Sequence, residues 1–289
     1  MSLIWQTSRF QLDLSRPRVM GIVNVTPDSF SDGGAYFSDA QNVSAVMARC
    51  EQLLEDGADL LDIGGESTRP GAQPVTLEEE LARVLPVLRH AVTLGVPVSI
   101  DTYKPAVMQA VLELGADIIN DVWAFRQPGA VEVVAKHGAC GVCVMHMHRE
   151  PQTMQVSPMQ SDIVPQVLSF LRQSAKTLHS AGVDRQRIVL DVGIGFGKTV
   201  AQNFSLLARQ HEFLAAGYPL MAAWSRKSSL LAVVANESAA GAVASTNADR
   251  LVPSVAAALL AVERGARVVR VHDVRETAQA LKVWQAATA

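Results

Sequence analysis

Eight short apolar runs, each followed by a longer helical segment, most constrain what this chain of 289 residues can fold into. The runs lie at 19–25, 60–63, 98–100, 118–119, 141–145, 188–190, 220–223 and 268–271. Runs apolar on both faces are characteristic of parallel strands covered by helices. Eight strand–helix units in one chain of this length predict a closed (β/α)8 TIM barrel of the α/β class, rather than an open doubly wound sheet. Apolar residues make up 49% of the chain and aromatic ones only 5%, so the core must be built of Val, Ile, Leu and Ala. No linker or low-complexity stretch divides the sequence. A single domain is therefore expected, with 18–289 as barrel and 1–17 as a short N-terminal hairpin closing its bottom.

Local signals mark the helices. Ser38-Asp39 precedes one running to about Asp56, and Thr76 with Glu79 has the spacing of a capping box before 77–94. Lys104-Pro105 puts a proline in a first helical turn. Glycines 57, 95, 115, 182 and 265 each follow a helical segment and are read as left-handed caps leading into the next strand. Further helices are expected over 247–265 and from Val274 onward.

Composition excludes several classes. A net charge of -3 without a Lys/Arg cluster argues against nucleic acid and against a charged membrane surface. Residues 1–18 contain no apolar leader core, and no apolar stretch approaches the ~20 residues that cross a bilayer. Three cysteines cannot form a disulfide framework and point to a reducing compartment, so a cytoplasmic protein is expected. Cys140 and Cys143 have the spacing of a redox or metal pair, but they sit in an apolar strand run and are read as packing residues.

The ends of the runs carry the functional argument. They are Asn24; Asp62 with Gly64-Gly65-Glu66; Asp101; Asn120-Asp121; His146; Asp191; Ser225-Arg226-Lys227; and Arg270 with His272. One such residue is as well explained as a helix cap. Eight polar strand ends around one mouth make sense chiefly if a polar ligand satisfies them. Asp101, Asn120 and Asp191 suit a flat heterocycle read along an edge of amino and ring N–H donors, with Lys227 donating to a ring carbonyl or nitrogen. Arg270 and His272, on one face of a strand and near Asn24, suit phosphate groups and Mg²⁺. The alternative for Arg270 and His272 is an ion pair with Asp273 or Glu66. GIGFGKT (193–199) lacks the first glycine of a P-loop, since Val192 occupies its place; it also misses the dinucleotide fingerprint. It is read as a flexible loop that lays Phe196 near the site. Long loops after the first, second and fifth runs fit lids on the catalytic face.

Taken together, several segments resemble the dihydropteroate synthases. These are MGIVNVTPDSFSDGG (20–34), DIGGESTRPG (62–71), SIDTYK (99–104), INDV (119–122), MHM (145–147), GIGFGKT (193–199), SRKS (225–228) and RVHDV (270–274). The resemblance spans nearly the whole chain, in order. It implies a pterin-binding barrel that joins 6-hydroxymethyl-7,8-dihydropterin diphosphate to 4-aminobenzoate, with Mg²⁺ as cofactor. Asp101, Asn120, Asp191 and Lys227 would hold the pterin edge, and Arg270 would lie against the ring. Arg270, His272, Asn24 and Thr68 would bind diphosphate, with Asn24 toward the metal. Thr26, Phe30 and Asp32 of the first loop, and Ser67, Thr68, Arg69 and Pro70 of the second, would close over the substrates. Catalytic roles would fall to Asp32, Lys227, Arg69 and Thr26. The aminobenzoate pocket, where sulfonamides bind in this family, would comprise Phe30, Ser67, Thr68, Pro70, Phe196, Lys227 and Ser228. The family implies a homodimer, for which residues 252–262 offer an apolar helix.

The sequence departs from the family pattern at Val192, Trp123-Ala124 and Ala223-Trp224, with both tryptophans expected near the mouth. Two other readings share the pterin edge. A corrinoid-dependent methyltransferase would not need the diphosphate corner or the two closing loops. A non-catalytic paralogue would be expected to lose Asp32 and Arg69, and both are present.

Overall fold

The structure is a computed structural model that describes residues 3–26, 40–67, 73–149, 158–234 and 247–288. A two-stranded antiparallel hairpin, β1 (Ile4–Gln6) and β2 (Gln11–Asp13), precedes the barrel. The eight apolar runs become parallel strands: β3 (Arg18–Asn24), β4 (Leu60–Gly64), β5 (Val98–Asp101), β6 (Ile118–Asp121), β7 (Gly141–Met145), β8 (Ile188–Asp191), β9 (Leu220–Ala222) and β10 (Ala266–Val271). They close in the order β10-β3-β4-β5-β6-β7-β8-β9, a TIM barrel. Several strands extend one or two residues beyond their apolar runs, onto Asp101, Asn120-Asp121 and Asp191. The backbone ladder does not depend on side-chain polarity, so the polar last rung is invisible to a hydrophobic pattern.

The helices of the outer ring are α1 (Ala40–Glu55), α2 (Leu77–Ala91), α3 (Pro105–Glu113), α4 (Ala130–His137), α5 (Ile163–Ser180), α6 (Val200–Ala208), α7 (Ser228–Val234), α8 (Asn247–Glu263) and α9 (Val274–Thr288). Thr76 Oγ1 accepts from Glu79 N, and Thr76 N donates back to the Glu79 carboxylate, each at 3.2 Å, as its spacing predicts. Pro105 opens α3, where its missing N–H costs nothing. Glycines 57, 95, 115, 182 and 265 all adopt positive φ.

The hairpin seals the barrel's lower end. Trp5 and Leu14 are fully buried and pack with Leu12 against an interior layer of Met20, Leu60, Ile118, Cys143, Val189, Met221 and Val268. The Trp5 indole N–H donates to the Arg187 carbonyl at 2.9 Å, so its polar atom is satisfied. Cys143 is thus a packing residue of this layer, and burial holds its thiol well above the usual range. Cys140 is buried too, against the Arg187 guanidinium at 3.3 Å. Trp5→Ala is expected to destabilise the fold by about 3–5 kcal/mol while leaving the turnover of folded molecules intact. Urea unfolding, followed beside activity normalised to folded protein, measures both.

Candidate active site

Side chains on a strand repeat every two residues on one face, so the apolar bottom layer dictates what stands above it. Two residues beyond Leu60, Ile118, Val189 and Val268 come Asp62, Asn120, Asp191 and Arg270. Asp101, which pairs in register with Asn120, completes the group at the end of β5. Each stands at the C-terminal end of its strand, the catalytic face in barrels of this kind.

These side chains form one connected floor. Arg270 Nε donates to Asp62 Oδ2 at 2.5 Å, and Arg270 Nη2 to Asp101 Oδ2 at 2.7 Å. Asn120 Nδ2 donates to the same Asp62 oxygen at 3.2 Å. Asp191 Oδ1 accepts from Gly193 N at 2.7 Å. Asp62, Asn120 and Asp191 are buried, and Arg270 keeps one edge toward the mouth. The Arg270 partners are therefore Asp62 and Asp101, not Asp273 or Glu66, both of which are taken elsewhere. Asp273 is gripped by Arg226 at 2.6 and 3.1 Å. Glu66 accepts from Tyr103 at 2.9 Å and from Lys104, which also reaches buried Glu80 at 2.6 Å.

Burial dominates the electrostatics. It pushes the Asp101 carboxyl up to about 7 even though the Arg270 guanidinium opposes the shift. Asp191 is raised for the same reason, against the pull of the Gly193 N–H and Lys227. Burial works against the charge of Arg270, but Asp62 and Asp101 outweigh it and hold the guanidinium protonated. The other Asp62 oxygen, Oδ1, is buried and has no hydrogen-bond partner among the described residues. An acceptor left that way at the base of a mouth fits a ligand N–H. Neighbouring Asp121 is a structural residue. Its carboxylate caps the next turn, accepting from Trp123 N and Phe125 N, each at 2.7 Å.

The loop after β8 lies beside this floor. Phe196 is buried, and Lys227 Nζ stands 4.5 Å from its ring centroid. Although the sequence suggests a flexible loop, this one is tied down. Gly195 N donates to Asn203 Oδ1 at 2.9 Å, and Lys198 Nζ donates to the carbonyls of Gly193 and Phe196 at 2.7 and 3.1 Å. Gly193 has φ +70°, and a β-carbon there would overlap the His146 carbonyl oxygen. Gly193→Ala is expected to cost roughly 1–3 kcal/mol in strain alone and to raise KM for a ligand at Phe196. Thermal melting and steady-state kinetics of the variant check this.

The phosphate corner sits across the mouth. Asn24 ends β3, half-buried, and Thr26 just beyond it is buried. Ser225 Oγ accepts from His272 N at 3.1 Å and lies 3.0 Å from His272 Nδ1. Ser67 is half-buried and Ser228 exposed at the start of α7. Phe30, Asp32, Thr68, Arg69 and Pro70 lie outside the described residues. Trp123 stacks on Tyr103 at 5.6 Å near the mouth, as its position suggests. Trp224 does not reach it: the side chain is buried in the layer between strands and helices, 5.4 Å from Phe204. Three residues of this geometry escape the sequence reading: Asp62 as part of the edge-reading floor, Ser225 as partner of His272, and Lys198. For Asp62 the signal was available, since it stands two positions beyond Leu60 in the interior layer.

The sequence pattern of the pterin binding enzymes matches residues 20–272. A dihydropteroate synthase of Neisseria meningitidis is 48% identical over 287 residues, covering 98% of this chain and 97% of that protein. A Xanthomonas albilineans dihydropteroate synthase with 4-aminobenzoic acid superposes with a TM-score of 0.90 at 46% identity, covering 100% of this chain and 99% of that one. A Burkholderia cenocepacia dihydropteroate synthase complexed with 7,8-dihydropteroate does so with a TM-score of 0.86 at 48% identity, covering 99% and 97%. The chain belongs to the pterin binding enzyme family, as one of its dihydropteroate synthases.

Proposed function

We propose that the chain condenses 6-hydroxymethyl-7,8-dihydropterin diphosphate with 4-aminobenzoate, forming 7,8-dihydropteroate and releasing diphosphate. The observation that carries this reading is the floor of buried Asp62, Asn120 and Asp191 with largely buried Asp101, in which Asp62 Oδ1 is unbonded among the described residues. Carboxylates and an amide so placed match the amino and ring N–H donors of a pterin edge. A corrinoid-dependent methyltransferase shares such an edge, but the chain's likeness to dihydropteroate synthases runs through the loops and phosphate corner as well.

The chemistry follows from the charge layout. As the C–O bond to diphosphate breaks, the pterin methylene carries positive charge delocalised into the ring, and the aminobenzoate nitrogen then attacks it. Preorganised carboxylates at the far edge stabilise that cation. Arg270 and His272 hold the departing diphosphate, while Lys227 and Phe196 place the second substrate with Ser67 and Ser228. Asn24 alone supplies one amide oxygen, and no group of three or more His, Cys, Asp or Glu that could hold a metal occurs among the described residues. That donor set fits a Mg²⁺ that keeps most of its waters and arrives on the diphosphate, not a caged ion. Bound there, Mg²⁺ would neutralise charge on the leaving group.

Asp32, Arg69, Thr26 and Thr68 belong to the same proposal as loop residues closing over the site. Asp32→Asn is expected to lower kcat about tenfold or more with pterin affinity nearly unchanged; equal losses in both would remove Asp32 from that role. Sulfonamides would compete with 4-aminobenzoate. The protein would work in the cytoplasm as a homodimer; α8 exposes Val252 and, in part, Leu260 while burying Ala257, Ala258 and Ala261. No helix of the described residues is long and apolar enough to cross a membrane. Incubation with both substrates and Mg²⁺, followed by chromatography, tests the function. Dihydropteroate and diphosphate should appear in equal amounts, and their absence with folded protein would refute it.

A further inference from the structure

We infer that Lys198 is a positioning residue for the second substrate: from beneath the 193–197 loop, its ammonium holds Phe196 in place as a wall of the aminobenzoate pocket. The inference rests on the function proposed above. Lys198 is buried, and its hydrogen bonds include no carboxylate. Nζ lies 2.7 Å from the Gly193 carbonyl, 3.1 Å from the Phe196 carbonyl and 2.9 Å from His146 Nδ1, with the His146 carbonyl further off at 3.4 Å. Burial pulls the Lys198 pKa down to about 7, against the pull of Asp191, and the three nearer atoms, each able to accept one hydrogen bond, match the three donors of its charged form. Nδ1 must then be an acceptor, which puts the imidazole proton on Nε2. Burial and the Lys198 charge hold His146 neutral, with its pKa down to about 2. Its ring is wedged edge-on against Phe170 at 4.9 Å.

The atoms gripped show what the contact does. Gly193 O and Phe196 O are the two ends of one turn, which Phe196 N closes by donating to Gly193 O at 3.2 Å. Gly193 N also meets Asp191, but Asp191 is held independently by β8. Phe196 belongs to no strand or helix, and its ring faces Lys227. Loss of the ammonium leaves the Phe196 carbonyl and His146 Nδ1 without its hydrogen bonds and Gly193 O with the Phe196 N–H alone, so the turn loosens toward water. Phe196 moves with it, whereas the carboxylate floor does not.

Lys198→Met keeps the length and removes the donors. The reference is wild-type protein making dihydropteroate from both substrates; failure there would count against the proposed function, not against this role. In the folded variant, KM for 4-aminobenzoate should rise about tenfold or more, with KM for the pterin diphosphate and kcat each changing less than about fivefold. Unchanged kinetics, equal rises in both KM values, or a fall confined to kcat would overturn the role. The His146 variants decide the matter if Lys198→Met does not fold. His146→Leu removes one acceptor and should raise KM for aminobenzoate. His146→Asn places an amide oxygen near the Nδ1 position and should restore it to within about threefold of wild type. Equal behaviour of Leu and Asn would also overturn the inference.

Discussion

Arg270→Met is expected to lower kcat/KM about 10³-fold and to destabilise the protein by about 2 kcal/mol. The activity loss combines two effects: a cation at the diphosphate corner disappears, and the carboxylates it orients lose their partner. The stability loss follows because buried Asp62 and largely buried Asp101 are left without a counter-charge. Removing one partner of a fully buried pair costs about 3–5 kcal/mol; Arg270 is 17% exposed at its side chain, so a smaller figure is expected. In a chain of this size that corresponds to a fall of roughly 3–4 °C in melting temperature. The pH dependence has a definite sign. Burial already holds the Asp101 pKa near 7, above its unfolded value, so its ionisation destabilises the native state as pH rises from about 4 to 7. Without Arg270 that penalty grows. Melting temperatures measured from pH 5 to pH 8 should therefore fall more steeply for the variant than for the wild type. Parallel curves would contradict the electrostatic account.

Asp191→Asn should separate activity from stability. An amide in place of the carboxylate keeps one oxygen to accept from Gly193 N but turns an NH₂ group toward the ligand's N–H donors. Sites built around a hydrogen bond reject a mismatched partner strongly, so a loss of about 10²–10³-fold in kcat/KM is expected, chiefly in KM for the pterin diphosphate. Stability should not fall. The Asp191 pKa is raised by burial, so its ionised form weakens the fold at neutral pH and the neutral amide removes that penalty. A variant at least as heat-stable as wild type yet nearly inactive is the expected signature, read by melting curves beside steady-state kinetics. A destabilised variant with normal pterin KM would place Asp191 in the framework, not at the ligand.

Much of this was legible in the amino-acid order because barrel architecture repeats. The continuous apolar runs set the strands, glycines capped the helices, and most of the polar residues at strand ends faced one mouth. What stayed hidden depends on which side chain pairs with which. Arg270 could be assigned to a polar corner, but a strand position does not say whether its partner is Asp273, one residue past His272, or Asp62 and Asp101 on strands far along the chain. Lys198 escaped because a lysine in a glycine-rich loop reads as exposed and mobile. Its burial and the hydrogen bonds of Nζ to the Gly193 and Phe196 carbonyls show that it folds back under its own loop. Trp224 was placed by its neighbours Ser225 and Lys227 near the mouth, yet its side chain turns toward Phe204.

The central claim is that the buried carboxylate floor reads the pterin edge. A crystal structure of this protein with 7,8-dihydropteroate tests it most directly. The account predicts the pterin amino and ring N–H groups within hydrogen-bond distance of Asp101, Asn120 and Asp191, with the aminobenzoate ring beside Phe196 and Lys227. A pterin edge bound away from those carboxylates, or an aminobenzoate ring remote from Phe196, would contradict it.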